Sequence, residues 1–475
     1  MKIQKIDISK IPSSCFTISE IFKNAGYESH LVGGCVRDLL IGKEPKDFDF
    51  CTNATVDAIK SLLKEKGISY TSVGEEYGTI VAHFNMWDDN HEEYEITTFR
   101  KDAEYKDGRH PSKIEATSSL VEDLKRRDFT INAMAYSLLD GIITDPFNGQ
   151  KDLEENRLMC VGDASKRFKE DGLRLLRAVR FACKYNLNIE HNTYFAMKDN
   201  VDILDNVSKE RITNEFKKLF GYDCKIADVF DECNFIITKV IPEIADEIGC
   251  SQKSKYHYHD VWKHSLSVVD NVDINNFVVK LAALLHDIGK PYCKTTDEAG
   301  YEHFYDHPEK SYKIVKQVIS KDFVLTCEEQ AALLELVRYH DTPLASTDKS
   351  VKKFVSKHGN EMFGMFVSLK QADFLDHVIE HEGSSKKDFY FDKDKVEEIY
   401  RNLIESEQCF KLKDLKVNGY DLMKMGIPKG PQIGEVLNML LELVLDEQLL
   451  NDKGSLMDYV KENVLDLSND EIYEI

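Results

Sequence analysis

Residues 31–49 read Leu31-Val32-Gly33-Gly34-Cys35-Val36-Arg37-Asp38-Leu39-Leu40-Ile41-Gly42-Lys43-Glu44-Pro45-Lys46-Asp47-Phe48-Asp49. A short apolar strand, Ser29 to Val32, runs into a Gly-Gly turn and then into a helical stretch that carries Arg37. Two glycines let backbone approach a bulky anion, and a helix start supplies unpaired N–H groups. Arg37 adds a guanidinium able to grip phosphate oxygens in pairs. Asp47 and Asp49 lie two apart around a second apolar run, residues 48–51. A strand there points both carboxylates to one face. Two carboxylates on one side repel unless a cation sits between them, and hard oxygen ligands of this kind suit Mg2+ when phosphates complete its shell. Two such ions activate an attacking hydroxyl and stabilise departing pyrophosphate in an in-line displacement.

Outward from this stretch, the first 150 residues alternate strand and helix patterns. Residues 79–84 and 94–99 are rich in β-branched and aromatic side chains and predict paired strands, with residues 87–92 as a polar connection. Val56, Ile59, Leu62 and Leu63 predict a helix over 55–66, capped by Thr52-Asn53. After a turn at 146–149 the pattern becomes nearly all helical, over 173–181, 210–220, 277–285, 312–319 and 328–337. Further boundaries fall near 249–254 and 383–385. The expectation is a multidomain α+β protein: a small mixed α/β head, then largely all-α domains.

A chain of 475 residues predicts two to four domains. With 42% hydrophobic residues it has material for real cores and is neither collagen-like nor largely disordered. No apolar run reaches the 18 residues of a membrane helix, and the charged start, Met1-Lys2-Ile3-Gln4-Lys5, is no secretory signal. Eleven cysteines without a CxxC pair predict free thiols in a reducing, cytoplasmic setting. The net charge of −22 argues against a general nucleic-acid binder. Residues 166–184 nevertheless carry seven Lys/Arg against two acids, and residues 435–475 eleven acids against two lysines. Such a gradient fits one anionic ligand at one place.

That basic stretch holds Asp171, Arg174, Arg177 and Arg180 at spacing three among Leu173, Leu175, Leu176, Ala178, Val179 and Phe181. A helix apolar on most of its girth is buried, so its arginines are forced into a cleft where they need acceptor partners. Spacing three drifts about 60° per step, so Arg174 and Arg177 meet one ligand. Arg180 turns away, toward a further phosphate or a structural carboxylate. Asp171 accepts from an exocyclic amine and Arg174 donates to a ring nitrogen or carbonyl. Cytosine and adenine share an amino group beside an acceptor, whereas guanine and uracil carry carbonyls there. The competing reading is a salt bridge from Asp171 to Arg174 that stitches the helix.

Three segments, residues 33–38 with Asp47-Phe48-Asp49, residues 126–133 and residues 170–181, resemble the class II tRNA nucleotidyltransferase and bacterial poly(A) polymerase family in that family's order. The resemblance covers residues 30–220 and, less specifically, the rest. It implies that Asp47 and Asp49 are catalytic and hold Mg2+. It implies that Gly34, Arg37, Arg127, Arg177 and Arg180 position a triphosphate, while Asp171 and Arg174 select CTP and ATP with no nucleic-acid template. Asp128 would help hold the head in place, and Glu210 and Arg211 would buttress the selecting helix. Residues 98–111 resemble the flexible loop of CCA-adding members, which favours the A-adding step. Gly74-Glu75-Glu76-Tyr77 departs from the Gly-basic-Arg-Phe signature of bacterial poly(A) polymerases, which favours tRNA. Residues 415–422 and 426–434 resemble the tail that grips the tRNA elbow.

His264, His286-Asp287 and Asp373 sit on predicted helices, with His307 and His340 also available. Neutral imidazole and carboxylate suit a divalent transition metal or Mg2+. Residues 284–290 resemble the HD phosphohydrolase signature, with His264 and Asp373 as its flanking ligands. That implies water attack on a phosphoester, of use against damaged RNA 3′ ends.

The expected domains are a nucleotidyltransferase head (1–150), a neck with the selecting helix (151–248), an HD domain (249–382) and a tRNA-binding tail (383–475). The expected activity is CCA addition to the tRNA 3′ end from CTP and ATP. Its rivals are a partial A-adding or CC-adding enzyme, a poly(A) polymerase, an HD phosphohydrolase with an RNA-binding head, and a non-catalytic RNA-binding protein.

Overall fold

A computed structural model of the protein describes residues 1–72, 75–85, 91–102, 114–253, 259–377, 391–406 and 410–465. It divides into two compact units, Met1–Ala245 with Val318–Val324, and Asp246–Gln317 with Leu325–Ile475.

The first unit contains β1 (Ser29–Val32), β2 (Phe50–Thr52), β3 (Ser69–Thr71), β4 (Thr79–Asn85) and β5 (His91–Thr98), then a ribbon of β6 (Arg100–Asp102) and β7 (Ile114–Ala116), then β8 (Ala135–Tyr136) and β9 (Ile143–Thr144). The main sheet runs β3-β4-β5-β2-β1-β8-β9. It is mixed: β1 is antiparallel to β2 and β8, whereas β2 is parallel to β5. Alternation sets its faces, with Tyr94 and Ile96 buried and Glu93 and Glu95 exposed.

Several expectations need correction. β2 begins at Phe50, so Asp47 and Asp49 lie on an extended lead-in, tied to β1 by the Val32 N–H donating to the Asp49 carbonyl at 3.0 Å. The helix expected over 55–66 is Val56–Glu65, and its cap is Thr55, which accepts from the Ala58 N–H. Thr52 and Asn53 are engaged elsewhere: Thr52 donates to the Glu28 carbonyl, and Asn53 accepts from the Glu28 N–H at 2.9 Å. β5 starts at His91, so residues 91 and 92 of the expected connection are strand. Residues 86–90, Gly74, most of the expected flexible loop (103–111) and the boundary at 383–385 lie outside the described residues.

The helix expected over 173–181 is Leu173–Tyr185, and the basic residues before it lie on a separate helix, Ala164–Glu170. The break at Asp171-Gly172 has two causes. Asp171 accepts from the Leu173 N–H at 3.1 Å, the role of a helix-starting residue. At Gly172 a Cβ would come within 2.8 Å of Ile203 and 3.0 Å of Val207, so only glycine lets the two turns pack there.

In the second unit, the helices Val261–Asn271, Phe277–Leu285, Cys327–Tyr339 and Asn360–His377 share a core that includes Trp262, Leu281, Leu336 and Phe366. Every residue from 278 to 285 is buried. A helix apolar all round is interior, so it delivers His286-Asp287 to a buried end. The helices Gly419–Lys424, Pro431–Leu445 and Lys453–Val460 close around Leu422, Leu440, Leu445, Leu456 and Val460. Among the described residues no helix is long and apolar enough to cross a membrane.

Candidate active sites

Gly33 sits at φ +79°, where an L side chain is strained, and starts the helix Gly34–Leu40. A Cβ at Gly33 would lie 3.0 Å from Nη1 of Arg127. The turn therefore presses backbone against that guanidinium. Arg127 donates Nη2 to Asp123 at 3.4 Å, while its buried Nε has no hydrogen-bond partner among the described residues. Arg37 is 4% exposed. Its Nε donates to Asp38 at 2.9 Å, its Nη1 donates to Asn132, and Tyr185 lies under it at 4.3 Å.

Burial, then the charge of Glu95, push Asp49 up to about 6; Arg127 opposes them, and Asp47 adds to the repulsion. Glu95 is the residue that the sequence reading missed. The parallel register pairs Phe50 with Ile96, which brings residue 95 alongside residue 49. Only the strand pairing reveals it. A half-buried carboxylate beside two exposed ones is a donor set suited to a divalent cation.

Asp171, Arg174, Arg177 and Arg127 line one cleft of about 250 Å3, together with Asp128 and Arg211. The competing Asp171–Arg174 bridge is absent from the ion pairs of the described residues. Asp171 instead takes a two-pronged bond from Arg211, Nη1 at 3.0 Å and Nη2 at 2.7 Å. Arg174 donates Nη1 to Glu170 at 2.7 Å and to the Arg167 carbonyl at 2.9 Å, and Nη2 to the Arg126 carbonyl at 3.1 Å. Both groups are thus fixed independently, from different elements, with the cleft between them. Arg211 acts as a buttress, while Glu210 is exposed.

Arg177 donates Nε to Asp128 at 2.8 Å, and Asp128 also accepts from Asn132 at 3.1 Å. Arg37, Asn132, Asp128 and Arg177 therefore form one chain of bonds joining the Gly-Gly turn to the arginine helix. Burial raises the Asp128 pKa, but Arg177 and Arg174 outweigh it and hold the carboxyl well below the usual range. Arg180 is elsewhere. It is 5% exposed and donates to Glu215 at 2.6 Å, the structural carboxylate of the two partners foreseen for it. It does not line the cleft.

In the second unit His264, His286, Asp287 and Asp373 come together, joined by His307 and His340. Nε2 of His264 lies 3.2 Å from Asp373 and 3.4 Å from Asp287 Oδ2, and Nε2 of His286 lies 3.2 Å from that same oxygen. On the other side, Asp287 Oδ1 is 3.2 Å from His307 Nε2 and 3.6 Å from His340 Nε2. Every ring is held by its Nδ1. His286, His307 and His340 meet the carbonyls of Ala283, Phe304 and Val337 at 2.8, 2.9 and 2.7 Å, each three residues back. His264 meets Asp376 at 2.7 Å. Bonds at Nδ1 leave all four Nε2 lone pairs converging on Asp287.

Both Asp287 oxygens are buried without a well-directed hydrogen bond, although the Lys290 ammonium reaches Oδ2 at 2.5 Å. Burial opposes ionisation of Asp287, yet His286 and Lys290 outweigh it and hold it well below the carboxylate range. Two ligand groups, His264/His286/Asp373 and His286/Asp287/His340, have donor atoms close enough to share an ion. Imidazole nitrogens converging on an ionised, under-bonded carboxylate fit a divalent metal.

Residues 29–159 match the poly(A) polymerase head domain, and residues 186–224 a family described as a probable RNA- and SrmB-binding site of polymerase A. Residues 255–385 match the HD domain, and residues 369–460 the putative second domain of tRNA nucleotidyltransferases. The CCA-adding enzyme of Streptococcus mutans is 29% identical over 94% of this chain and 96% of its own length. That of Lactobacillus helveticus is 41% identical over 45% of this chain and 52% of its own. The crystal structure of the Bacillus stearothermophilus CCA-adding enzyme in complex with CTP superposes with a TM-score of 0.65 at 25% identity, covering 96% of this chain and 98% of that one. The Thermotoga maritima CCA-adding enzyme complexed with tRNA shares the fold, with a TM-score of 0.62 at 19% identity over 97% of this chain and all of that one. On its motifs, fold and relatives together, the chain belongs to the tRNA nucleotidyltransferase and poly(A) polymerase family and carries an HD domain.

Proposed function

We propose that this enzyme extends the 3′ end of tRNA by C, C and A, taking the nucleotides from CTP and ATP and releasing pyrophosphate. The observation that carries this reading is the placement of Asp171, Arg174 and Arg177 in one cleft with Arg127, whose guanidinium abuts the Gly-Gly turn and acts on Asp49. The RNA 3′ oxygen forms a bond to the α-phosphorus as the bond to the β-bridging oxygen breaks, and pyrophosphate leaves. Asp47 and Asp49, with Glu95 beside them, would hold Mg2+, which would supply charge to activate the hydroxyl and offset that of the phosphates.

The chain's own groups do the rest. Gly34, Arg37, Arg127 and Arg177 hold the triphosphate; Arg180 holds the arginine helix to Glu215. Asp171 accepts from the amino group of cytosine or adenine, and Arg174 donates to the adjacent acceptor. Because Arg211, Glu170 and two carbonyls fix these groups beforehand, little reorganisation is needed when a nucleotide enters. Guanine and uracil place a carbonyl against the Asp171 carboxylate and are refused.

The HD cluster is a phosphohydrolase centre for phosphorylated RNA 3′ ends, with donors for two divalent ions on either side of Asp287. His264, His286, Asp287 and Asp373, with His307 and His340, would hold a transition ion or Mg2+, which would supply the charge that lets water bond to phosphorus as the ester P–O bond breaks and the ribose oxygen leaves. Residues 1–150, 151–248, 249–382 and 383–475 serve as head, neck, HD domain and tRNA-binding tail, in the cytoplasm. Pyrophosphate release from CTP and a tRNA lacking its last three nucleotides tests the reading. Asp49→Asn should abolish release, and persistence of full activity in that variant would refute it.

A further inference from the structure

One of the four histidines in the HD cluster is held differently from the others. His286, His307 and His340 each present Nδ1 to a backbone carbonyl three residues back. His264 presents Nδ1 to a carboxylate, Asp376 Oδ2, at 2.7 Å. Asp376 is 7% exposed and stands three residues after Asp373 on the helix Asn360–His377, so the two acids share a face one turn apart. Asp373 lies 3.2 Å from Nε2 of the same ring. One helical turn thus brackets the imidazole of His264 from both nitrogens.

From this geometry we infer that Asp376 is a positioning residue that sets the metal affinity of the His264/His286/Asp373 group and makes it the tighter of the two positions. A carboxylate accepting from Nδ1–H fixes the tautomer, locks the ring plane and makes Nε2 a stronger donor than a carbonyl partner does. The position on the far side of Asp287, served by His307 and His340, has only carbonyl partners behind its rings and is the weaker. The asymmetry gives the centre one resident ion and one exchangeable ion, with His264 on the resident side. This inference rests on the HD centre being a metal site, as proposed above.

The test is titration of the full chain with Zn2+ against a chromophoric chelator, in excess Mg2+ to occupy oxygen-ligand sites. Wild type should bind two Zn2+ with separated affinities. Asp376→Ala should weaken the tighter step by about 10- to 100-fold and move the weaker step by less than about threefold. Asp376→Asn keeps an acceptor but loses the charge, and should fall between wild type and Asp376→Ala. Asp376→Glu should recover part of the loss. The melting temperature of the metal-free protein should not change in Asp376→Asn. An unaltered tighter step in both Asp376→Ala and Asp376→Asn would overturn the inference and leave the metal centre standing. So would an equal loss of both steps with a lower metal-free melting temperature, which would mark Asp376 as merely structural. Failure of wild type to bind Zn2+ in a way that His264→Ala removes would overturn the metal centre and this inference with it.

Discussion

Arg211 donates its two terminal nitrogens to the two carboxylate oxygens of Asp171, at 3.0 and 2.7 Å. The helix Lys209–Phe220 thereby fixes the carboxylate proposed to accept from the nucleotide amino group. Arg211→Met should let Asp171 rotate and lower the preference for CTP over UTP about tenfold, roughly 1.4 kcal/mol, with a smaller fall in kcat/KM for CTP itself. The ratio of kcat/KM values on a tRNA primer measures this. An unchanged ratio would remove Arg211 from base selection.

Asp49 has its pKa lifted to about 6 by burial and by Glu95, with Asp47 adding to the effect. A raised carboxyl favours the protonated folded state. Its contribution to stability is full below the ordinary carboxylate range and is lost as pH rises through about 6, on the order of 2 to 3 kcal/mol in total. Mg2+ at the site relieves that repulsion. It should therefore raise the melting temperature more at pH 7.5 than at pH 5.5. Glu95→Gln should make the metal-free protein melt higher at pH 7.5, yet add nucleotides at least about tenfold more slowly. A Glu95→Gln enzyme with normal kcat and Mg2+ dependence would exclude Glu95 from the site.

Arg180 and Glu215 form a buried pair, 6% and 4% exposed at their side chains. Arg180→Met removes the hydrogen-bonded cation from Glu215, leaving Lys218 at 3.6 Å and the more distant charge of Arg177, and should lower unfolding free energy by about 3 kcal/mol in a urea titration. KM for CTP and ATP should stay within about twofold. A large KM change at unaltered stability would return Arg180 to the triphosphate.

The HD centre offers donors on both sides of Asp287. His340→Ala should reduce bound divalent metal from two ions to one and abolish phosphate release from RNA bearing a 3′ phosphoester, while CCA addition continues. Metal analysis of the purified protein, alongside both assays, checks this. Retention of hydrolysis in His340→Ala would leave a single-ion centre.

What the sequence made legible was local. A strand, two glycines and a helix start with Arg37 are contiguous, and Asp47 and Asp49 stand two apart, although they precede β2 instead of lying on it. The proposed base-selecting groups were also readable, since Asp171 and Arg174 are neighbours in the chain. Their environment was not. Glu95 reaches Asp49 through the parallel register of β2 and β5, Arg211 reaches Asp171 across 40 residues, and Glu215 meets Arg180 across 35. Such partners follow from packing, which no short-range pattern encodes. The break at Asp171 had a signal in the adjacent Gly172, outweighed by the apolar period that follows. Asp376 had one too, standing a single turn after Asp373, but its role required the ring of His264 to arrive from another helix.

The central claim is that amino acids, rather than a nucleic-acid template, choose C, C and then A. The most direct measurement is gel sizing of a tRNA ending at its discriminator base after incubation with each labelled nucleotide, alone and together, using wild type and Asp171→Ala. CTP alone should add two residues, with a third only when ATP is present. GTP or UTP should give no growth, and Asp171→Ala should show relaxed nucleotide choice. Continued growth with ATP alone, or unchanged fidelity in Asp171→Ala, would contradict that claim.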